Sequence, residues 1–230
     1  MLFRNEILAV VSLLSATSSY SAFAYASVNP KGSGEHATAR RQLKRAKNSK
    51  STSKPCGPCE TRPECFLVVP EDAFGTAVDP TGYKAVARAD VIMDAPESSQ
   101  IYICNASQEW VLKDVEAFLY NDVEDLVGFH FFNSLGATSE FDSGSPRWQV
   151  GESLVTGANP LSIDSPDGLE NIRWLFVEIA LNNEEGVLKD AQRIGRYCTK
   201  DGIAPVTTCE TGDVFRSRYE TAYYYFEKEE

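Results

Sequence analysis

From Cys65 to the C-terminus the chain is a succession of short β-branched and aromatic runs, each cut off by Gly, Pro, Asn or Asp. CFLVV (65–69) stops at Pro70, YKAVARADVIM (83–93) alternates loosely, and SQIYIC (99–104) follows the turn-forming DAPES. LVGFHFF (126–132) is aromatic, and IRWLFVEIAL (172–181) is continuously apolar up to the turn signal NNEEG. VLKDAQRIGRY (187–197) and YETAYYYFEK (219–228) complete the series. Many short strands with turn residues between them define a mainly β domain, a single β-sandwich or β-barrel. One or two short helices are expected, around Gln108–Tyr120. No solenoid-length repeat and no heptad pattern interrupts this reading. Twelve Phe, ten Tyr and three Trp supply the large anchors of a packed core.

The N-terminus has a different character. MLFRNEILAVVSLLSATSSYSAFAYAS has Arg4 near its start, an apolar run from Ile7 to Leu14, and small residues after it. Both Ala22-Phe23-Ala24 and Ala24-Tyr25-Ala26 fit a signal-peptidase site, and the run is short for a bilayer span. Residues 1–26 are therefore read as a signal peptide and the mature protein as secreted or lumenal in the endoplasmic reticulum, without membrane attachment. The competing address is a plastid, reached through a two-part algal signal around SAFA. Residues 27–55 carry eight Lys/Arg against the single acid Glu35, with Val28 and Leu43 as the only larger aliphatics. That composition predicts a disordered basic segment: a solvated linker, a processed pro-site at RRQLKR, or a polyanion-binding tail.

The whole chain carries a net charge of −11; the basic segment contributes +7 and the leader nothing, which leaves −18 on residues 56–230. An acidic body of this kind argues against nucleic acid and anionic membranes as partners. It is expected to form one β-domain over 56–230.

CGPC (56–59) has the Cys-x-x-Cys spacing of a disulfide oxidoreductase. Such a site needs a strand before it and a helix after it, so that the helix N-terminus lowers the first thiol's pKa. Here the basic segment precedes it, Pro63 disfavours a helix after it, and Cys65 lies six positions on from Cys59. Cys56, Cys59 and Cys65 are instead expected to tie down the start of the domain through disulfides. Six cysteines in an oxidising compartment allow 15 pairings.

Candidate chemistry is sparse. His130 is the only histidine of the body, and in an extended LVGFHFF it faces away from Val127, Phe129 and Phe131. It is a candidate catalytic base or a structural histidine; a zinc site within one chain lacks ligands. The acidic clusters at 122–125, 164–167 and 184–185 do not match the spacing of a calcium loop, so no metal is assigned and no cofactor is named. Arg147, Trp148, Arg193 and Tyr223 are candidate ligand-binding residues, because aromatic faces stack on flat or sugar ligands and Arg binds carboxylates. Arg173, Tyr219 and Tyr225 belong to the same sets, whereas Trp174 reads as core. Asn105-Ala106-Ser107 is a glycosylation sequon at Asn105.

Several segments in order resemble one family: QIYIC (100–104), Trp110, EAFLY (116–120), VGFHF (127–131), SPRW (145–148), IRWLFVEIA (172–180), the stretch from Ala191 to Cys209, and YETAYYYF (219–226). Over about residues 65–228 the chain resembles domain-of-unknown-function family 3455, found in secreted fungal and bacterial proteins. The family's GxHxxGPTW is split here, with His130 and Trp148 at its ends and FNSLGATSEFDSGS between them. Its IPWLL reads Ile172-Arg173-Trp174-Leu175-Phe176. The resemblance implies a Cys104–Cys209 disulfide, since members carry cysteines at both places; Cys198 lies outside that pattern and is expected to pair with the N-terminal trio. Some members bear a malate dehydrogenase label, but this chain has no G-x-G-x-x-G after a strand and no Walker-type loop.

The function these features favour is a disulfide-stabilised β-domain that binds a small molecule or glycan without catalysis. Two readings compete with it: an enzyme or accessory protein acting on a small molecule in an algal secondary pathway through His130, and an extracellular matrix or cell-surface structural protein.

Overall fold

The computed structural model describes residues 66–93, 98–133 and 144–230. Nine strands carry the chain in the order β1 (Tyr83–Val91), β2 (Ser99–Cys104), β3 (Trp110–Tyr120), β4 (Leu126–Asn133), β5 (Ser145–Val150), β6 (Ser153–Ile163), β7 (Trp174–Asn182), β8 (Arg193–Asp201) and β9 (Val214–Lys228). All pairings are antiparallel. The ladder runs β3–β2–β9–β8–β7–β6–β5–β4, and β4 pairs back to β3, closing an eight-stranded barrel. Of the two architectures open to the sequence, the barrel is the one formed. β9 is long enough to serve two neighbours along one edge: its first part pairs with β2 and its last part, from Thr221, with β1. β1 thereby extends the wall where β2 ends, touching β3 through Asp90 and Tyr120.

The expected helix around Gln108–Tyr120 is not formed. Gln108 (φ 62°) lies in the β2–β3 turn, and Trp110–Tyr120 is strand β3. Val115, Ala117 and Leu119 are buried and Glu116 between them is exposed, which is a period of two. Ladders to β2 on one side and β4 on the other override the helix preference of Leu, Lys, Glu and Ala. Phe66–Val69, read as part of a strand, form none: the Tyr224 hydroxyl donates to Val68 O at 2.9 Å and Arg88 Nη1 to Phe66 O at 3.1 Å, so this run straps the outside of the barrel. In VLKDAQRIGRY only the part from Arg193 is strand; Gly186–Leu188 forms a 3₁₀ turn.

The densest segment, YETAYYYF, is buried on both faces. Tyr219, Tyr223 and Tyr225 point into the barrel, whereas Ala222, Tyr224 and Phe226 pack outward under Ala73, Val78, Trp174, Phe176 and Tyr197. Period-two alternation thus feeds two cores, one in the lumen and one beneath the segment preceding β1. Arg88 fixes that second layer: its side chain is buried, it holds Asp90 bidentately at 2.7 and 2.8 Å, and it donates to Tyr224 Oη at 2.9 Å.

One end of the barrel is filled. Leu188 and Ala191 plug it together with Val150, Val155, Leu119 and Tyr225. Ser153 holds the plug, donating from Oγ to Glu185 O at 2.6 Å and accepting from the Leu188 N–H at 2.9 Å. The loops at the opposite end include the β2–β3 turn and the β8–β9 connection, which the Cys104–Cys209 disulfide joins across a sequence separation of 105. Cys198 is also disulfide-bonded. Cys56, Cys59 and Cys65, with residues 1–55, lie outside the described residues. Among the described residues no helix is long and apolar enough to cross a membrane.

Candidate functional site

The unfilled end opens into a cavity of about 710 Å³. Its wall is mainly apolar, with Leu112, Phe132, Leu175, Val177 and Ile194 among the lining side chains. Within this lining the polar groups Gln100, Tyr102, His130, Arg196 and Tyr223 converge from β2, β4, β8 and β9.

His130 and Trp148 are register partners across β4 and β5. On the inner face of a closed barrel this brings their rings flat together, with centroids 4.2 Å apart and planes 4° from parallel. Tyr223 meets both edge-on, at 5.1 and 5.7 Å. Room for the indole comes from Gly157 on β6, where a Cβ would lie 2.9 Å from Trp148 and 2.7 Å from Val177.

His130 Nδ1 lies 2.7 Å from Arg147 O. A carbonyl only accepts, so Nδ1 carries the proton and Nε2 the lone pair. Burial pushes the imidazole pKa down to about 3; the Arg147 carbonyl opposes this and the Arg196 charge adds to it. The ring is therefore neutral at ordinary pH. Burial also raises the phenols of Tyr102 and Tyr223, with Arg196 pulling both back. The Tyr102 hydroxyl donates to Gly202 O at 2.8 Å, tying the cavity wall to the β8–β9 connection at the open end.

Of the residues singled out from sequence, the structure brings His130, Trp148 and Tyr223 together, and Arg173 joins them as a lining residue nearer the mouth. Arg147 and Arg193 are not among the lining residues. Arg147 alternates with the inward Trp148 and contributes its carbonyl. Arg193 pairs with Glu178 at 2.7 Å and lies over the Tyr83 ring. Trp174 is core, against Tyr197. Asn105 is half-buried at the β2–β3 turn, its Oδ1 accepting from the Ser107 and Glu109 amides. Sequence reasoning missed Gln100, Tyr102 and Arg196. Parity along RIGRY was the available signal, since Arg196 stands two residues after the inward Ile194. Among the described residues no cluster of three or more His, Cys, Asp or Glu is arranged to hold a metal ion.

A closed antiparallel barrel, stoppered at one end and hollow at the other, belongs structurally with β-barrels that enclose a small-molecule-sized space. By sequence, residues 87–227 match the model of the family described as Protein of unknown function (DUF3455), and the chain belongs to that family. No curated protein and no solved structure matches it.

Proposed function

We propose that this domain binds a small, mainly apolar molecule in its barrel and does not transform it. The observation that carries this is the cavity itself. Its volume lies in the range of ligand sites, its wall is mostly hydrophobic, and a few polar groups converge on it to orient a guest. The lining favours a small apolar molecule over a glycan, which needs many exposed polar partners beside its stacking faces. His130 supports binding over catalysis. General bases work best with a pKa near the working pH, and a ring held near 3 by burial is a weak base there.

Residues 1–26 and the Cys104–Cys209 bridge support a secreted or lumenal setting, where disulfides persist. The mass of the protein recovered from a eukaryotic secretory host reports leader cleavage and glycan at Asn105 together.

The binding reading is tested with N-phenyl-1-naphthylamine, a neutral apolar fluorophore that brightens out of water. The full chain is expected to bind it at one saturable site, and Leu175→Trp, which fills the cavity from the inner face of β7 beside Arg196, to abolish the signal. Absence of saturable binding, or binding unchanged by a folded Leu175→Trp variant, would refute it.

A further inference from the structure

Within this apolar wall, one group carries a charge with no counter-ion. Arg196 stands on β8 between Leu175 of β7 and Tyr223 of β9, half-buried and lining the cavity. Its Nε and Nη2 donate to the Arg173 carbonyl at 3.2 and 2.8 Å. A guanidinium has five N–H donors; the Arg173 carbonyl and the Tyr223 hydroxyl, which also hydrogen-bonds this group, do not use them all, and the donors that remain suit a carboxylate. Among the described residues no carboxylate lies within ion-pair distance of Arg196. The one acid of the cavity lining, Asp164, is taken by Arg173 Nε at 3.1 Å.

The groups facing Arg196 from the other walls are Tyr102 of β2, His130 of β4 and Tyr223 of β9. All three are uncharged at neutral pH, the phenols held up and the imidazole held down by burial. A cation turned toward neutral groups in a low-dielectric cup is poorly solvated, and an anion placed there recovers what burial cost. Arg matches a planar carboxylate through two parallel N–H···O bonds. A phosphate dianion would call for further cations, but Arg173 is already neutralised by Asp164.

Building on the binding reading, we infer that the ligand is an apolar molecule bearing one carboxylate, its body against Leu175, Val177 and Ile194 and its carboxylate on Arg196. The arginine anchors and orients it, and the apolar wall supplies most of the buried surface.

The test compares cis-parinaric acid with its methyl ester, two fluorescent probes with the same tail and different heads. Both are titrated into the full chain at pH 7.5. Wild type is expected to bind the acid about tenfold or more tighter than the ester, the worth of a charge-assisted hydrogen-bonded pair. Arg196→Gln should remove that preference and leave ester affinity within about twofold. Arg193→Gln, on the same strand but off the cavity, should keep the preference. Equal affinity of acid and ester for wild type overturns the inference and leaves the binding reading standing. So does a preference that survives Arg196→Gln. If neither probe nor the neutral naphthylamine binds, both readings fall. Should the Gln variant not fold, the acid-to-ester ratio in wild type decides alone.

Discussion

His130 makes the inside of the barrel sensitive to acid, and the size of the effect comes from its surroundings. The ring is 3 % exposed, stacked on Trp148 and donating to the Arg147 carbonyl. Its pKa falls from 6.5 in the exposed reference to about 3 in the fold. Above pH 6.5 both folded and unfolded chains hold it neutral, and it contributes nothing to pH dependence. Below that value the unfolded chain takes up a proton that the folded chain refuses, so stability falls with pH until the folded ring also titrates. The loss is about 2 kcal/mol at pH 5 and about 4 kcal/mol at pH 3.

The assay is urea unfolding of wild type and His130→Asn at pH 7.5 and pH 5. Asn keeps an N–H donor near the position of Nδ1 and has nothing to titrate. The variant is expected to be less stable at pH 7.5, because a stacked ring is lost from a packed wall. The deciding quantity is the movement of the gap, which should narrow by about 2 kcal/mol at pH 5. Asp90, whose pKa burial raises, titrates in both proteins and cancels from the difference. A gap unchanged between the two pH values would refute the reasoning. An imidazole NMR signal of His130 titrating near pH 6 in the folded protein would do the same.

Packing leads to two further outcomes. Gly157→Ala places a methyl 2.7 Å from Val177 Cγ1, 2.9 Å from Trp148 and 3.3 Å from Pro146. It should cost roughly 1–3 kcal/mol in urea unfolding and shift the near-UV circular dichroism of the indole; a neutral effect on both would mean the wall yields freely. Arg88→Met strips the bidentate partner from Asp90 and should cost about 3–5 kcal/mol, much of it recovered by adding Asp90→Asn. Equal stability of the single and double variants would show that the pair is not what holds the outer layer.

Much of the strand pattern is legible because period-two burial is local. SQIYIC, LVGFHFF, IRWLFVEIAL and YETAYYYF each form strands at or near the expected residues. WVLKDVEAFLY reads as helix because its residues are good helix formers, and only pairing with β2 and β4 makes the alternate face of Val115, Ala117 and Leu119 the buried one. The choice between sandwich and barrel could not be read locally. It rests on β3 closing onto β4 and on β9 dividing one edge between β2 and β1, pairings more than a hundred residues apart for β2 and β9. The candidate site divides along the same line. His130, Trp148 and Tyr223 stood out by residue type, whereas Arg196 sits in an unremarkable alternation and matters because of a cavity whose existence depends on closure.

That the cavity occupies one half of the barrel reflects where small residues and irregular pairing fall. β6 loses register between Thr156 and Gly157 and again between Ala158 and Leu161, where Asn159 takes a left-handed conformation (φ 48°). Bulges bend a strand and increase its twist, and these fall beside Pro146 and Trp148 of β5. Gly157 presents no side chain to the lumen there, on a strand two removed from both His130 on β4 and Arg196 on β8. Toward the stoppered end β6 begins with Ser153 and Val155 in regular pairing, and Leu188, Val150 and Tyr225 fill the lumen. A barrel of eight strands is just wide enough for side chains to fill it, so a glycine in place of a large side chain on one bulged strand leaves a space the size of a ligand. The same substitution that empties the upper half leaves Arg196 facing that space instead of a packed neighbour, which is why the hollow and its cation arise together.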